Sequence, residues 1–210
     1  MEELKNSVDE VIFAGDLVGY CASPNEVIKL LKDLNPVICV SGNHDYACLK
    51  KDFKWFNEVA AKALIWTVNN IKKENLEYLS KMPLQETFSV KNFKIYVTHG
   101  SPFNNLYDYV YQEEARNWTS FFKATESDII VLGHTHIPML MKFGEKYILN
   151  PGSVGQPRDG DPAASYCILD ISGEVKVEFK RICYDIDKSA EKIIAEGLPS
   201  FLAERLYMGL

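Results

Sequence analysis

The chain contains four histidines, His44, His99, His134 and His136, and each follows a short apolar run rich in β-branched residues. Val37–Val40 precedes Gly42-Asn43-His44-Asp45. Phe93–Val97 precedes His99-Gly100, and Ile129–Leu132 precedes Gly133-His134-Thr135-His136. Asp16 stands in the same relation to Val11–Ala14. In an open α/β sheet the carboxyl ends of the strands face one crevice. Four such ends would bring Asp16, Asn43, His99, His134 and His136 to one place. A lone histidine is ordinarily a packed or surface residue, and a lone Gly-Asp or Asn-Pro-Gly-Ser is ordinarily a turn. The repetition at every histidine is what points to a site. Imidazole, carboxylate and amide oxygen together suit manganese, iron, nickel, cobalt or zinc better than calcium or a thiolate zinc site. The His134-Thr135-His136 spacing lets one loop reach two adjacent ions, and Asp16 has two oxygens with which to bridge them. Ions about 3.5–4 Å apart can clamp both sides of an in-line phosphoryl displacement.

The motifs Gly15-Asp16, Gly42-Asn43-His44-Asp45, His99-Gly100, Gly133-His134-Thr135-His136 and Asn150-Pro151-Gly152-Ser153 occur in this order over positions 11–160. In this combination the chain resembles the calcineurin-like metallophosphoesterase superfamily, in its small prokaryotic phosphodiesterase branch. The resemblance implies a four-layer αββα sandwich of two mixed β-sheets flanked by helices. It implies that Asp16 bridges two metals, that Asn43, His99 and His134 complete the second site, and that His136 belongs to the first. It gives His44 the role of contacting the substrate phosphate, with Asn43, and of protonating the leaving oxygen. Asp45 would orient that imidazole and favour its charged form, which is chemically sensible for a group that titrates near neutrality. The implied reaction is attack on phosphorus by a metal-bound hydroxide, on a phosphodiester more readily than a monoester, with manganese as the expected ion.

The resemblance also implies a first strand ending in Asp-x-His, and no Asp-x-His occurs in these 210 residues. Only 15 residues precede Asp16. Met1–Asn6 reads as the tail of a helix, and our expectation is a chain that begins late, inside that helix. A natural one-metal variant is the alternative. Either way the second metal position is expected to bind more tightly than the first. A sheet without its first strand would show a gap or an exposed edge, which a homodimer or strand exchange could cover.

The elements that must position these residues are legible from periodicity. Val11–Ala14 and Val37–Val40 read as buried strands. Between them Ser23 reads as an N-cap with Pro24 in the first turn of a helix to Leu34, burying Val27, Ile28, Leu30, Leu31 and Leu34. Strand, helix, strand makes a βαβ unit with a parallel sheet. Helices follow over about 57–71, 74–82 and 112–124. Strands are expected on either side of Lys91-Asn92, at 129–132, in a hairpin over 137–149 turning near Gly144, and at 165–170 and 174–183. Two short helices follow Asp187. No linker or repeat interrupts the chain, so a single domain over 1–210 is expected.

Composition sets the outer bounds. The formal net charge of −6 argues against binding a nucleic-acid polymer, because phosphate backbones are held by Lys and Arg. A small phosphorylated substrate is compatible, since a bound metal supplies local positive charge. Five cysteines, Cys21, Cys39, Cys48, Cys167 and Cys183, with no CxxC spacing, suggest a reduced, cytoplasmic chain in which they pack as small apolar groups. No run suits a membrane span or a signal peptide. Arg158 is a candidate phosphate ligand, or else an ion-pair partner of Asp159 or Asp161. The aromatics from Phe103 to Phe122 either wall the site or pack the core, with packing preferred. Ser153 lacks a triad and is expected to shape its loop. Two rival functions share these residues: an inactive protein-binding scaffold, such as the retromer subunit of the superfamily, and a metal-dependent amide or ester hydrolase. The retained His44 favours the enzyme, and the absent Asp-x-His weighs against activity.

Overall fold

The strand Phe93–Thr98 shows how the sheets divide the molecule. Its Ile95 and Val97 pack with Ile38, Val40, Ile129, Val131, Tyr147 and Leu149, while Tyr96 between them packs with Trp118, Phe121, Phe122, Ile130 and Ile148. Alternate residues thus serve two cores, as a pleated strand buried on both faces requires. The computed structural model describes residues 8–113 and 118–210. Its elements run β1 (Ile12–Phe13), α1 (Pro24–Leu34), β2 (Ile38–Cys39), α2 (Asn43–Lys50), α3 (Glu58–Asn70), α4 (Lys73–Leu79), β3 (Gln85–Val90), β4 (Phe93–Thr98), α5 (Trp118–Thr125), β5 (Ile129–Val131), β6 (Pro138–Phe143), β7 (Lys146–Pro151), β8 (Ala164–Asp170), β9 (Lys176–Ile182), α6 (Ile186–Ala195) and α7 (Phe201–Met208).

Five strands form a mixed sheet in the order β3-β4-β5-β7-β6, with β4, β5 and β7 parallel and an antiparallel strand at each edge. β1 and β2 pair in parallel, Ile12 opposite Ile38, across the α1 crossover expected of a βαβ unit. β8 and β9 form an antiparallel ribbon. The core containing Ile95 and Val97 lies between the five-stranded sheet and these two ribbons, with Cys167, Leu169 and Val177 packed against it. α5 covers the outer face of the large sheet. α1, α2, α3 and α4 pack on Phe13 and Cys39, and α6 and α7 pack against Ala63 of α3. The result is the mixed α/β architecture expected, except that the second layer is not one mixed sheet but two separate ribbons, with the gap expected of a sheet without its first strand. Both ribbons also line a cavity of about 710 Å³, with Ile12 and Phe13 on one side, Cys167 and Leu169 on the other, and Asp16, His99 and His134 at its end.

Several local expectations need correcting. Val27 and Leu30 of α1 are 40% and 46% exposed, so its buried stripe narrows to Ile28 and Leu31. Ser23 makes no capping bond; its hydroxyl accepts instead from Lys192 Nζ at 2.8 Å. The polar stretch around His44 is not a loop but the first turn of α2. The helix expected over 112–124 is described as α5 from Trp118; residues 114–117 lie outside the described residues, as does the expected helical tail at Met1–Asn6.

Candidate metal centre

Four strand ends deliver the donors. Asp16 follows β1, Asn43 follows β2 and opens α2, His99 follows β4, and His134 follows β5. They meet around one atom, His99 Nε2. It lies 3.2 Å from Asp16 Oδ2, 3.2 Å from Asn43 Oδ1 and 3.1 Å from His134 Nδ1. Ligand atoms of Asp16, His99 and His134 all fall within 4.8 Å of one another. His99 fixes its own tautomer: Nδ1–H donates to the Ala14 carbonyl at 2.8 Å, which leaves Nε2 as the free lone pair. Carboxylate oxygen, amide oxygen and two ring nitrogens are acceptors. Packed this closely and buried, they repel one another unless a cation or a proton sits among them.

The electrostatics say the same. Burial raises Asp16, but the surrounding His99 and His44 outweigh it and hold the carboxyl far below its usual range. Burial disfavours a charged His99, yet Asp16 outweighs it and lifts the imidazole above its ordinary value. Both shifts report that this donor group favours positive charge in its midst. His134 is driven down to about 4 by burial and by His99. The donor set fits a divalent transition metal of mixed nitrogen and oxygen coordination.

The backbone is bent to present these groups. Asp16, His134 and His136 all have left-handed φ values, 59°, 65° and 61°, which side chains other than glycine adopt only when neighbours enforce it. The enforcement for the histidine loop comes from Asn150. Its Nδ2 donates to the Gly133 carbonyl at 2.6 Å and to Thr135 Oγ1 at 3.0 Å, and its Oδ1 accepts from Gly152 N. Ser153 Oγ accepts from Gln156 N, as a loop-shaping residue would. Gly42 permits the approach of Asp16, because a Cβ there would overlap the Asp16 carboxylate and backbone nitrogen.

A second, smaller cavity of about 160 Å³ opens on Asp16, Asn43 and His134; His136 lines it but stands outside the close group. Its Nδ1–H donates to the Gln156 carbonyl at 2.6 Å, again leaving Nε2 as lone pair, and burial followed by Arg158 lowers it to about 3. His44 is buried between the rings of Tyr20 and Phe56, at 4.4 and 4.8 Å, and its Nδ1 has no hydrogen-bond partner. Asp45 does not orient it, contrary to expectation. Both Asp45 oxygens accept backbone N–H bonds, from Val18 at 3.0 Å and Gly42 at 2.9 Å, so this carboxylate ties α2 to the β1 loop. The charge that favours a protonated His44 comes from Asp16, and burial overrides it, lowering His44 to about 4. Arg158 lines the cavity and donates to Tyr20 Oη and Gln156 Oε1 at 3.2 and 3.1 Å; Asp159 and Asp161 pair with Arg181 instead.

The aromatic stretch divides between its two readings. Trp118, Phe121 and Phe122 are core, whereas Tyr107 and Tyr109 line the site, Tyr109 lying 4.0 Å from the His134 ring. Sequence reasoning missed Tyr20, Trp55, Phe56 and Gln156. Only Gln156 sat in a segment already under suspicion. The others reach the cavity from loops and turns whose direction no periodicity reveals.

The model of the calcineurin-like phosphoesterase superfamily domain matches residues 1–174. The chain is 38% identical to the protein MJ0912 of Methanocaldococcus jannaschii, over all of this chain and 90% of that one. It is 34% identical to phosphodiesterase YfcE of Escherichia coli over 54% of this chain and 55% of that one, about half the length of each. Among solved structures, a metallophosphoesterase from Sphaerobacter thermophilus superposes with a TM-score of 0.82 at 34% identity, covering 98% of this chain and 90% of the other.

Proposed function

The chain belongs to the calcineurin-like phosphoesterase superfamily, and from that premise we propose that it hydrolyses phosphoesters, diesters before monoesters, with a divalent metal, manganese first, held by Asp16, Asn43, His99 and His134. The observation that carries this reading is the convergence of three potential ligand atoms, from Asp16, Asn43 and His134, on a fourth, His99 Nε2. A divalent ion there supplies positive charge to the transferring phosphoryl group and acidity to the attacking water. The chain's own residues do the rest. Asp16 and the N-terminus of α2 form one unit, since His44 N donates to Asp16 Oδ1 at 2.9 Å. Asn43 and Arg158 line the cavity beside the donors and offer N–H groups to phosphoryl oxygens. His44 gives its proton to the leaving oxygen. Burial keeps it neutral in the ligand-free chain, and an anionic phosphoester seated against it adds the opposite charge that raises it. His136 lines the same cavity and would, with Asp16, hold a second ion more weakly. The five free thiols support a reducing, cytoplasmic setting.

Turnover of bis-p-nitrophenyl phosphate with added manganese tests the proposal. His44→Ala and Asp16→Asn should each lower kcat by about 10²-fold or more. Absence of turnover with every first-row transition metal, or faster cleavage of p-nitrophenyl acetate than of the phosphodiester, would sink it.

A further inference from the structure

The cavity at the metal centre has two chemically different ends. At one end of the smaller cavity stand Asp16, Asn43, His134, His44 and Arg158, the one Lys or Arg side chain lining it among the described residues. At the mouth stands Trp55, which is 86% exposed. Two further exposed rings, Tyr107 and Tyr109, line the same space. Resting on the phosphoesterase reading above, we propose that the site selects phosphoesters whose organic group carries a flat aromatic ring, and that Trp55 is the platform on which the ring stacks.

Three observations carry this. First, an indole is seldom left in water without use, because it has the largest apolar face of any side chain. Second, the backbone that presents Trp55 is pinned on both sides. Lys54 N donates to Asp52 Oδ1, Phe56 N donates to the Phe53 carbonyl, and Asn57 caps α3 by accepting from Ala60 N. Phe56, the next residue, packs on His44. The backbone from which the exposed ring projects is therefore held at a fixed place relative to His44. Third, the cavity measures about 160 Å³, below the roughly 300 Å³ that encloses a drug-sized ligand. It can enclose the phosphoryl end, and of the two spaces left for a larger organic group, the mouth and the 710 Å³ cavity that shares Asp16, His134 and His136, only the mouth carries exposed rings among the described residues. Stacking tolerates any flat ring, since every nucleobase and aryl group has a π face. The recognised feature is thus the ring, and its identity is secondary.

Calorimetric titration of the 210-residue chain, with manganese present, compares adenosine 5′-monophosphate, phenyl phosphate and ribose 5-phosphate. The two ring-bearing ligands should bind about tenfold more tightly than the sugar phosphate. Trp55→Ala should remove that advantage, and Trp55→Phe should keep most of it. A gain for the adenine ligand alone would assign the site to nucleobases, and a gain for both to rings in general. Equal binding of all three ligands by the native chain overturns the inference, as does an equal loss for all three in Trp55→Ala. Turnover of bis-p-nitrophenyl phosphate separates the two claims. Turnover without ring preference removes the stacking site alone, and ring preference without turnover removes the phosphoesterase reading alone.

Discussion

At the scale of single residues, the candidate metal donors were readable because their types are rare and their placement repeats. Asp16, Asn43, His99 and His134 each follow a strand, and the structure brings them together. What holds them was not readable. The Ala14 carbonyl that fixes His99 is 85 positions away in sequence, and the carbonyl that fixes His136 belongs to a glutamine with no chemical signature. Asp45 was misassigned because adjacency in sequence suggested contact with His44, whereas the first turn of a helix points neighbouring side chains in different directions. Gly42 is the sharpest case of a residue defined by absence. In Gly42→Ala the new methyl group would meet the Asp16 carboxylate. Manganese affinity should fall about tenfold or more, with the far-UV circular dichroism of the native chain retained. Titration calorimetry of both chains checks this, and unchanged affinity would show that Asp16 can move aside.

At the scale of elements, strands were more legible than helix ends. β3 to β9 fall close to the expected ranges because alternation and turn residues mark them. α2 was overlooked because its function lies at its N-terminus and not along an apolar stripe. The helix begins on the candidate ligand Asn43, the His44 N–H donates to Asp16, and Asp45 closes the first turn by accepting from Gly42 N. The caps of two other helices give a paired prediction. Asp185 accepts from Lys188 N at 2.9 Å and caps α6, while Ser23 precedes α1 without capping it. Asp185→Ala should cost about 1 kcal/mol of unfolding free energy. Ser23→Ala loses only the part-buried hydrogen bond from Lys192, which keeps its pairing with Glu26, and should stay within about 0.5 kcal/mol. Urea unfolding of both variants reads the difference, and equal costs would contradict the capping assignment.

At the scale of the whole molecule, folding of the chain and assembly of the metal centre are one event. The donors come from four separate strand ends, so the unfolded chain has no site and any ion that binds stabilises the native state. Manganese at 100 times its dissociation constant should add about 2.7 kcal/mol. For a chain of this length that raises the melting temperature by roughly 5–10 °C. Differential scanning calorimetry with manganese and with EDTA tests it, and Asp16→Asn should flatten the response. The layered architecture was legible because each layer repeats a simple period. The volume between the ribbons was legible only as an expected gap or exposed edge, because its size and lining depend on where elements fail to meet. That volume, about 710 Å³ and lined by Ile12, Phe13, Cys167 and Leu169, changes how a common assay reads. Dyes such as anilinonaphthalene sulfonate brighten in apolar surroundings, and brightening is usually taken as the mark of a molten globule. Here a fully native chain has a place for the dye, so brightening alone is no sign of loosened packing, and near-ultraviolet circular dichroism must decide whether the aromatic side chains are still locked.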